Sequence, residues 1–402
     1  MDSVSALLDS IADVGRDAFR GGYSRGVYTG AELTLREWFA EEARRRGLAV
    51  ETDRNGILWG WWDAGEGGRA GALVTGSHLD SVPGGGAYDG PLGVTSALAA
   101  VDLLRARGVR PNRSLAVAVF PEEEGSRFGV SCLGSRLLTG AIDADAARNL
   151  TDADGVTFAE ASRAAGIDPA HLGRDDGTLA NIGDFVELHV EQGRGLIDLD
   201  SAVAVGSTVL GHGRWRLSVS GQGNHAGTTL MADRADPMIA AAQIVLAVRS
   251  VARAEDGARA TVGRLQPVPG GTNVIASRVD LWLDIRHEDD AVTAALVERI
   301  HGKAQMAAAF EGCSVNLTAE SRSGTVSFDP ALQRTLQNSL KGAPLLPTGA
   351  GHDAAVLSGL VPAAMLYVRN PTGVSHSPEE FVERDDADAG AAALADVLED
   401  LL

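Results

Sequence analysis

Short apolar runs separated by polar turns recur along the first half of the chain and again near its C-terminus. They are ILWGWW (57–62), GALVTGSH (71–78), SLAVAVF (114–120), DFVELHV (184–190) and AAMLYV (363–368). Between the second and third runs, GPLGVTSALAAVDLLRARG (90–108) has the apolar period of a helix and ends at a glycine. Short apolar strands that alternate with helices are typical of a buried, mostly parallel sheet, so the pattern predicts an α/β fold.

Residues 211–324 have a different pattern. Strand-like and helical stretches follow one another there as RWRLSVSG, DPMIAAAQIVLAVRSVARA, RATVGRL, SRVDLWLDIR, AVTAALVERIHGKAQMAAAF and SVNLTAESR. This order, βαββαβ, is that of a ferredoxin-like unit. We therefore predict an inserted second domain at 211–324 and a first domain formed by 1–210 and 325–402.

Near the N-terminus, Thr29 and Glu32 have the spacing of a capping box at the start of a helix.

Length and charge narrow the possible functions. A chain of 402 residues favours two domains, and a net charge of −19 argues against nucleic acids and anionic membranes as partners. No run approaches the roughly 20 apolar residues of a membrane span. The acidic N-terminus does not fit a secretory signal, and the cysteines, Cys132 and Cys313, are far apart. These features predict a cytoplasmic protein.

Residues of the types that bind metals follow or end the predicted core strands. In strand order they are His78, Asp80 and Asp89; Glu122, Glu123 and Glu124; His189; and His376. Sites in open α/β sheets lie beyond the carboxyl ends of the strands, so we expect these residues to meet in one crevice. Imidazole and carboxylate ligands without thiolates favour Zn²⁺ or Mn²⁺ in a catalytic site.

Each of these residues also has an interpretation that needs no metal. Asp89 could cap the helix that follows it, and three consecutive glutamates are commonly a solvated run. His189 could be a hydrogen-bonded core histidine, and His376 an ordinary loop residue. Their joint occurrence at strand ends favours the metal site.

Six motifs carry a family resemblance. GSHLDSVPGGGAYDG, EEEGSRFG, ELHVEQG, NHAGTT, GAGHDA and GVSHSPEE resemble, in this order, the M20 metallopeptidase-like amidohydrolases. ELHVEQG and NHAGTT are similar to the hydantoinase/carbamoylase branch of that family. The resemblance implies a zinc-peptidase-like catalytic domain with an inserted dimerisation, or lid, domain. The segment VRNPTG, before His376, departs from the family pattern.

The resemblance also implies roles at the metal site. Two divalent ions, Mn²⁺ or Zn²⁺, would share Asp89. The other ligands would be His78 and His189 for one ion, and Glu124 and His376 for the second. Asp80 would orient His78, and Glu123 would act as general base on a water whose pKa the ions lower.

Substrate contacts are implied in the same way. His225 of NHAGTT would stabilise the oxyanion, and Arg286 would bind the substrate carboxylate. Asn273 and Gln192 match polar substrate contacts, and His212 is a further candidate pocket residue. His352 of GHDA is expected to support the metal loop.

The resulting functional prediction is hydrolysis of a linear ureido or carbamoyl C–N bond that releases ammonia and CO₂. Allantoate is the first expected substrate, and an N-carbamoyl-L-amino acid or 3-ureidopropionate is the alternative. An M20 peptidase or N-acyl-amino-acid hydrolase is a further alternative. A non-enzymatic scaffold is disfavoured because all the expected ligands and the base are present. The family pattern implies a homodimer formed through the lid domain.

Overall fold

The computed structural model describes residues 3–65 and 68–402. Two compact units are formed, one by Met1–Ser207 with Ser327–Leu402 and the other by Thr208–Val326. The helices, in chain order, are α1 Val4–Ser10, α2 Gly30–Arg45, α3 Pro91–Ala106, α4 Leu133–Thr139, α5 Ala144–Arg148, α6 Phe158–Ala164, α7 Asp176–Asn181, α8 Gly195–Asp198, α9 Pro237–Arg253, α10 Asp290–Phe310, α11 Pro330–Ser339, α12 Asp353–Leu357 and α13 Arg384–Leu401.

The strands are short, and most of them match apolar runs of the sequence. They are β1 Ala49–Thr52, β2 Leu58–Trp62, β3 Ala72–His78, β4 Leu115–Phe120, β5 Ile182–Val190, β6 Val203–Val209, β7 Gly211–Ser220, β8 Asn224–His225, β9 Arg259–Val268, β10 Val274–Ile275, β11 Arg278–His287, β12 Ser314–Ser323, β13 Val326–Ser327, β14 Leu345–Thr348 and β15 Ala363–Val368.

The first unit is built on a mixed sheet with the order β1-β2-β4-β3-β5-β15-β6. Its four central strands, β4, β3, β5 and β15, are mutually parallel, and the outer strands β2 and β6 pair antiparallel with them. Every residue of β3, β4 and β15 is buried, which explains their continuous apolar runs. The predicted mostly parallel α/β sheet is confirmed.

Parallel pairing brings the carboxyl ends of the central strands to one edge of the sheet. His78, the last residue of β3, lies beside Phe120, the last residue of β4. On the other side, His189 of β5 lies beside Tyr367 of β15. The loops that leave these strands therefore start close together, and they carry the candidate ligands.

The second unit contains an antiparallel sheet with the order β12-β7-β11-β9. Helices α9 and α10 pack against each other and against this sheet. Their inner faces form a separate apolar core with the strands, which includes Trp215, Leu217, Ile244, Leu281 and Ile300. Among the described residues, no helix combines the length and the apolar composition needed to cross a membrane.

The predicted capping box at the start of α2 is wrong. The backbone N–H of Tyr28, not that of Thr29, donates to Glu32 Oε2 at 2.9 Å, and the hydroxyl of Thr29 donates to the carbonyl of Gly26 at 2.7 Å. Glu32 is buried and pairs with Arg36 at 3.3 Å. The carboxylate of Glu32 thus makes an i,i+4 ion pair within the helix and a contact with Tyr28 instead of the predicted capping contact.

Candidate metal centre and active site

The first candidate ligand group consists of His78, Asp89 and His189, all buried. Asp89 Oδ1 lies 3.4 Å from His78 Nε2 and 3.2 Å from His189 Nε2. Burial alone would raise the pKa of Asp89, but the two imidazoles, that of His189 foremost, hold it well below its usual range. Asp89 is therefore an ionised carboxylate between two imidazole rings.

The second candidate group shares Asp89 with the first and adds Glu124 and His376. His376 Nε2 lies 3.3 Å from Glu124 Oε2 and 3.6 Å from Asp89 Oδ2. One carboxylate oxygen of Asp89 thus faces His78 and His189, and the other faces His376. This is the arrangement of a carboxylate that can bridge two ions.

The ring orientations favour a metal ion over direct hydrogen bonds. His78 Nδ1 lies 3.0 Å from the carbonyl oxygen of Asp80, and His189 Nδ1 lies 3.0 Å from that of Val190. A carbonyl can only accept, so both rings carry a proton on Nδ1, and each ring turns its Nε2 towards Asp89. Both Nε2 atoms are buried without a hydrogen-bond partner. A cation between them and Asp89 would satisfy all three groups.

The spacing of the ligand atoms also fits a divalent ion. Ligands at about 2.1 Å from Zn²⁺ in a tetrahedral shell lie about 3.4 Å from one another. The separations of 3.2 and 3.4 Å in the first group, and of 3.3 and 3.6 Å in the second, are close to this value. The five predicted ligands therefore converge as a cluster that can hold metal.

The two glutamates after β4 point to different places. Glu122, immediately before them, has a left-handed backbone with a φ of 55°, so the chain turns sharply there. Glu124 Oε2 reaches His376, whereas Glu123 Oε2 lies 3.7 Å from His78 Nε2. Glu122 itself is buried, and its Oε1 accepts the backbone N–H groups of Arg127 and Phe128. Of these three glutamates, Glu124 therefore contacts His376, Glu122 contacts the backbone, and Glu123 faces His78.

Asp80 contacts both His78 and the turn formed by residues 122–124, the glutamate turn. Its carboxylate oxygens accept the backbone N–H groups of Glu123 at 3.2 Å and Glu124 at 3.1 Å. The hydrogen bond to His78 comes from the backbone carbonyl of Asp80, while its carboxylate oxygen lies 3.6 Å from Nδ1. Asp80 therefore links the first ligand loop to the second.

Burial perturbs the acids around the cluster. It raises the pKa of Glu123 well above the usual range, and the nearby carboxylates of Asp353 and Glu124 raise it further. Burial also raises the pKa of Asp80 to about 7. So many buried carboxylates need positive charge nearby, which divalent ions would provide.

Three supporting residues were missed by the sequence analysis. Glu380 Oε1 accepts the backbone N–H of Asp89 at 3.0 Å, and the hydroxyl of Ser375 lies 3.3 Å from Asp89 Oδ2. The thiol of Cys132 lies 3.4 Å from Glu123 Oε1. Glu380 and Ser375 flank His376 in the quoted motif GVSHSPEE, which was the available signal; Cys132 had none.

Two predicted residues lie close beside the cluster. Gln192 donates through Nε2 to Asp89 Oδ2 at 3.0 Å and to the hydroxyl of Ser375 at 3.1 Å. The ring of His352 lies 4.5 Å from that of His189, centroid to centroid, and both its nitrogens are buried without a hydrogen-bond partner. Burial lowers the pKa of His352 well below its usual range, so this imidazole is neutral.

The other predicted substrate residues belong to the second unit and form two pairs there. His225 of β8 pairs with Val274 of β10, next to Asn273, whose carbonyl accepts the N–H of Ala226. His225 Nδ1 accepts the N–H of Gly227 at 3.1 Å, so the neutral ring carries its proton on Nε2 and can donate it.

The second pair is His212 and Arg286, which lie opposite each other on β7 and β11. Arg286 donates from Nε and a terminal nitrogen to the two carboxylate oxygens of Asp284, at 2.7 and 3.0 Å. Burial and the nearby charge of Arg286 lower the pKa of His212.

Gly90 allows the close approach of Asp89 to His78, and Gly90→Ala is expected to destabilise the fold and weaken metal binding. A Cβ at position 90 would lie 2.5 Å from the His78 ring, and the backbone there has a φ of +84°. Gly129→Ala is the matched control, because Gly129 has a φ of +78° with open space around its Cβ position. We expect about 1–2 kcal/mol of lost unfolding free energy for the control and clearly more for Gly90→Ala. Urea unfolding and metal analysis measure both; equal losses would show that contact with His78 is unimportant.

Comparison with known proteins identifies the family. The family model Peptidase family M20/M25/M40 matches residues 74–400. N-carbamoyl-L-amino acid amidohydrolase of Geobacillus stearothermophilus is 35% identical over 96% of this chain and 95% of its own length. Allantoate amidohydrolase of Escherichia coli (strain K12) is 30% identical over 98% of this chain and 96% of its own length. The crystal structure of an amidase of the hydantoinase/carbamoylase family from Burkholderia multivorans matches 98% of this chain and 96% of its own, with a TM-score of 0.88 and 29% identity. As its motifs predicted, the chain belongs to peptidase family M20/M25/M40.

Proposed function

We propose that the protein is a metal-dependent amidohydrolase that cleaves a C–N bond of a small, linear ureido acid and releases ammonia and CO₂. The observation that carries this proposal is the pair of ligand groups that share Asp89. Full-length similarity to amidohydrolases of ureido and carbamoyl compounds supports the bond class. Two divalent ions per subunit, Mn²⁺ or Zn²⁺, would be held by His78, His189 and Asp89 and by Asp89, Glu124 and His376.

When bound, such ions lower the pKa of a water molecule and polarise the carbonyl group under attack. The chain's own contribution begins with Glu123, which takes a proton from the attacking water. As the C–N bond breaks, Glu123 returns this proton to the departing nitrogen. Its buried carboxylate, with a raised pKa, suits a group that must both accept and release a proton.

Asp80 positions the base rather than touching substrate. Its carboxylate accepts the backbone N–H groups of Glu123 and Glu124, so the base and the neighbouring ligand are held by one side chain. The thiol near Glu123 Oε1, from Cys132, restricts the carboxylate from the other side. Fixed geometry of this kind is what efficient proton transfer requires.

Binding of the substrate is proposed for five polar residues predicted from the sequence. His225, with a proton on Nε2, is proposed to donate to the oxyanion that forms on the attacked carbonyl. Arg286 is proposed to bind the substrate carboxylate, in exchange for part of its present contact with Asp284. Asn273, Gln192 and His212 complete the proposed set of polar substrate contacts.

A homodimer formed through the second unit is also part of the proposal. Several large apolar side chains on the two helices of that unit are exposed. They are Ile239 and Leu246 of α9, and Met306 and Phe310 of α10. Exposed apolar groups of this size are typical of surfaces that bind another chain.

Allantoate is the first candidate substrate, and N-carbamoyl-L-amino acids are the second. The similarity to allantoate amidohydrolase over nearly the whole chain supports the first, and the 35% identity to a carbamoyl-amino-acid hydrolase supports the second. Both compounds contain a ureido group and a carboxylate, so both fit the same proposed contacts.

Ammonia release by the purified protein, loaded separately with Mn²⁺ and Zn²⁺, tests the proposal. The panel comprises allantoate, ureidoglycolate, 3-ureidopropionate and several N-carbamoyl-L-amino acids, with N-acetyl amino acids and dipeptides followed by amine release. We expect kcat/KM for at least one ureido compound to exceed every peptide value by about 10³-fold or more, because contacts made only to the correct transition state dominate specificity. Hydrolysis of peptides or acyl amino acids alone would contradict the proposed bond class.

A further inference from the structure

Arg194 lies in the loop that carries Gln192, directly after β5. Gln192 contacts Asp89, and its Nε2 lies 3.5 Å from His376 Nε2, so this loop borders the metal cluster. The side chain of Arg194 is exposed, and its stem packs over Gly373, three residues before His376. The stem of Arg194 therefore lies against a second segment that contributes a group to the cluster.

The loop beneath the stem of Arg194 is held by its own hydrogen bonds. Asn370, fully buried, donates from its side chain to the carbonyl of Val374 and accepts from the backbone N–H groups of Thr372 and Gly373. Gly373 has a φ of +64°, and a Cβ there would lie 2.5 Å from Arg194 Cγ.

The charge of Arg194 is not used within the fold. Throughout the part of the chain that the structure describes, no acidic side chain forms an ion pair with it. The nearest acid of its own loop, Glu191, instead accepts the backbone N–H groups of Gly195 and Leu196, at 2.5 and 2.9 Å. Arg194 lies on a loop that borders the candidate metal cluster, and among the described residues its exposed guanidinium has no acidic partner, so it is suited to bind an anion that comes from outside.

We propose that Arg194 binds a second carboxylate of the substrate and thereby selects ureido acids with two carboxylates, such as N-carbamoyl derivatives of acidic amino acids. This inference rests on the proposed function, in which Arg286 binds the first carboxylate. Within the N-carbamoyl-L-amino acids of that proposal, the inference favours those with an acidic side chain. Selectivity arises because an arginine binds a carboxylate through two charge-assisted hydrogen bonds, which the amide analogue cannot match.

The test compares N-carbamoyl-L-aspartate with N-carbamoyl-L-asparagine, which differ only in the side-chain carboxylate. We expect the metal-loaded parent protein to favour the aspartate compound. Arg194→Ala is expected to lower kcat/KM for this compound by about 10- to 100-fold, mainly through KM, and to change the value for the asparagine compound less than about threefold. Arg194→Lys should restore part of the preference. Arg44→Ala, which removes an exposed arginine from α2, is the control for net charge and should leave the preference unchanged.

Titration of the two compounds into Glu123→Gln protein measures the same preference as a ratio of Kd values without turnover. If the parent hydrolyses the asparagine compound as well as the aspartate compound, or if Arg194→Ala keeps the preference, Arg194 does not select the substrate and the proposed function still stands. If no ureido compound is hydrolysed, the proposed function fails, and the assignment of Arg194 fails with it.

Discussion

Glu123→Gln is expected to reduce kcat by about 10²- to 10⁴-fold, the usual contribution of a general base, while bound metal stays at the parent level. Glutamine has the shape of glutamate but cannot accept the proton of the attacking water. The backbone carbonyl of residue 123 would still accept the N–H of Cys132 at 2.7 Å, and its N–H would still donate to Asp80. The geometry of the glutamate turn is therefore kept, and only the proton acceptor is lost. Steady-state kinetics and metal analysis by mass spectrometry measure the two quantities on one preparation.

Glu379→Gln is the control, since Glu379 is exposed and lies three residues after His376. It makes the same change of charge near the site, and we expect kcat within about twofold of the parent value because exposed charges contribute little. A Glu123→Gln protein with nearly normal kcat would remove Glu123 as the base. Loss of metal in that protein would instead identify Glu123 as a ligand, since its Oε2 lies 3.7 Å from His78 Nε2.

The sheet and the positions of the candidate ligands could be predicted because both depend on local patterns. The apolar runs that become β3, β4 and β15 are buried along their entire length, and buried strands of this kind have a clear sequence pattern. Parallel pairing then fixes which strand ends meet. His78 is the last residue of β3 and His189 is near the end of β5, so their proximity follows from the topology alone.

The supporting contacts could not be predicted because they join residues far apart in sequence. Glu380 accepts the N–H of Asp89, which lies 291 residues earlier in the chain, and no periodic pattern marks such a pair. Cys132 reaches Glu123 only because the chain turns back after the glutamates in a left-handed backbone conformation. Packing determines contacts of this kind, and a single sequence does not encode them in any local motif.

The ion pair between Asp284 and Arg286 in the second unit follows from a local sequence pattern. Asp284 and Arg286 are two residues apart in LWLDIR, so a strand places them on the same face, where they form an ion pair. The failed capping box at Glu32 has the opposite cause. There the local spacing of Thr29 and Glu32 is present, but the carboxylate of Glu32 pairs with Arg36 and accepts the N–H of Tyr28 instead of that of Thr29.

Asp89→Asn is expected to abolish binding at both candidate ion sites, because Asp89 belongs to both ligand groups. The substitution keeps the shape of the side chain but removes the negative charge and one acceptor oxygen from between His78, His189 and His376. We expect kcat/KM below about 10⁻⁴ of the parent value. Without bound metal the attacking water is not activated, and Glu123 then has no acidified water from which to take a proton. Metal analysis should show that the variant has lost most of the metal bound by the parent.

Variants that touch one group alone distinguish a shared ligand from a general loss of structure. Glu124→Gln and His376→Ala affect only the second group, so each should leave the ion held by His78 and His189. Asp13→Asn removes a fully exposed carboxylate and should alter neither metal content nor kcat/KM. If Asp89→Asn retains the full metal content, or loses no more than Glu124→Gln does, Asp89 does not bridge. The two groups would then be independent sites.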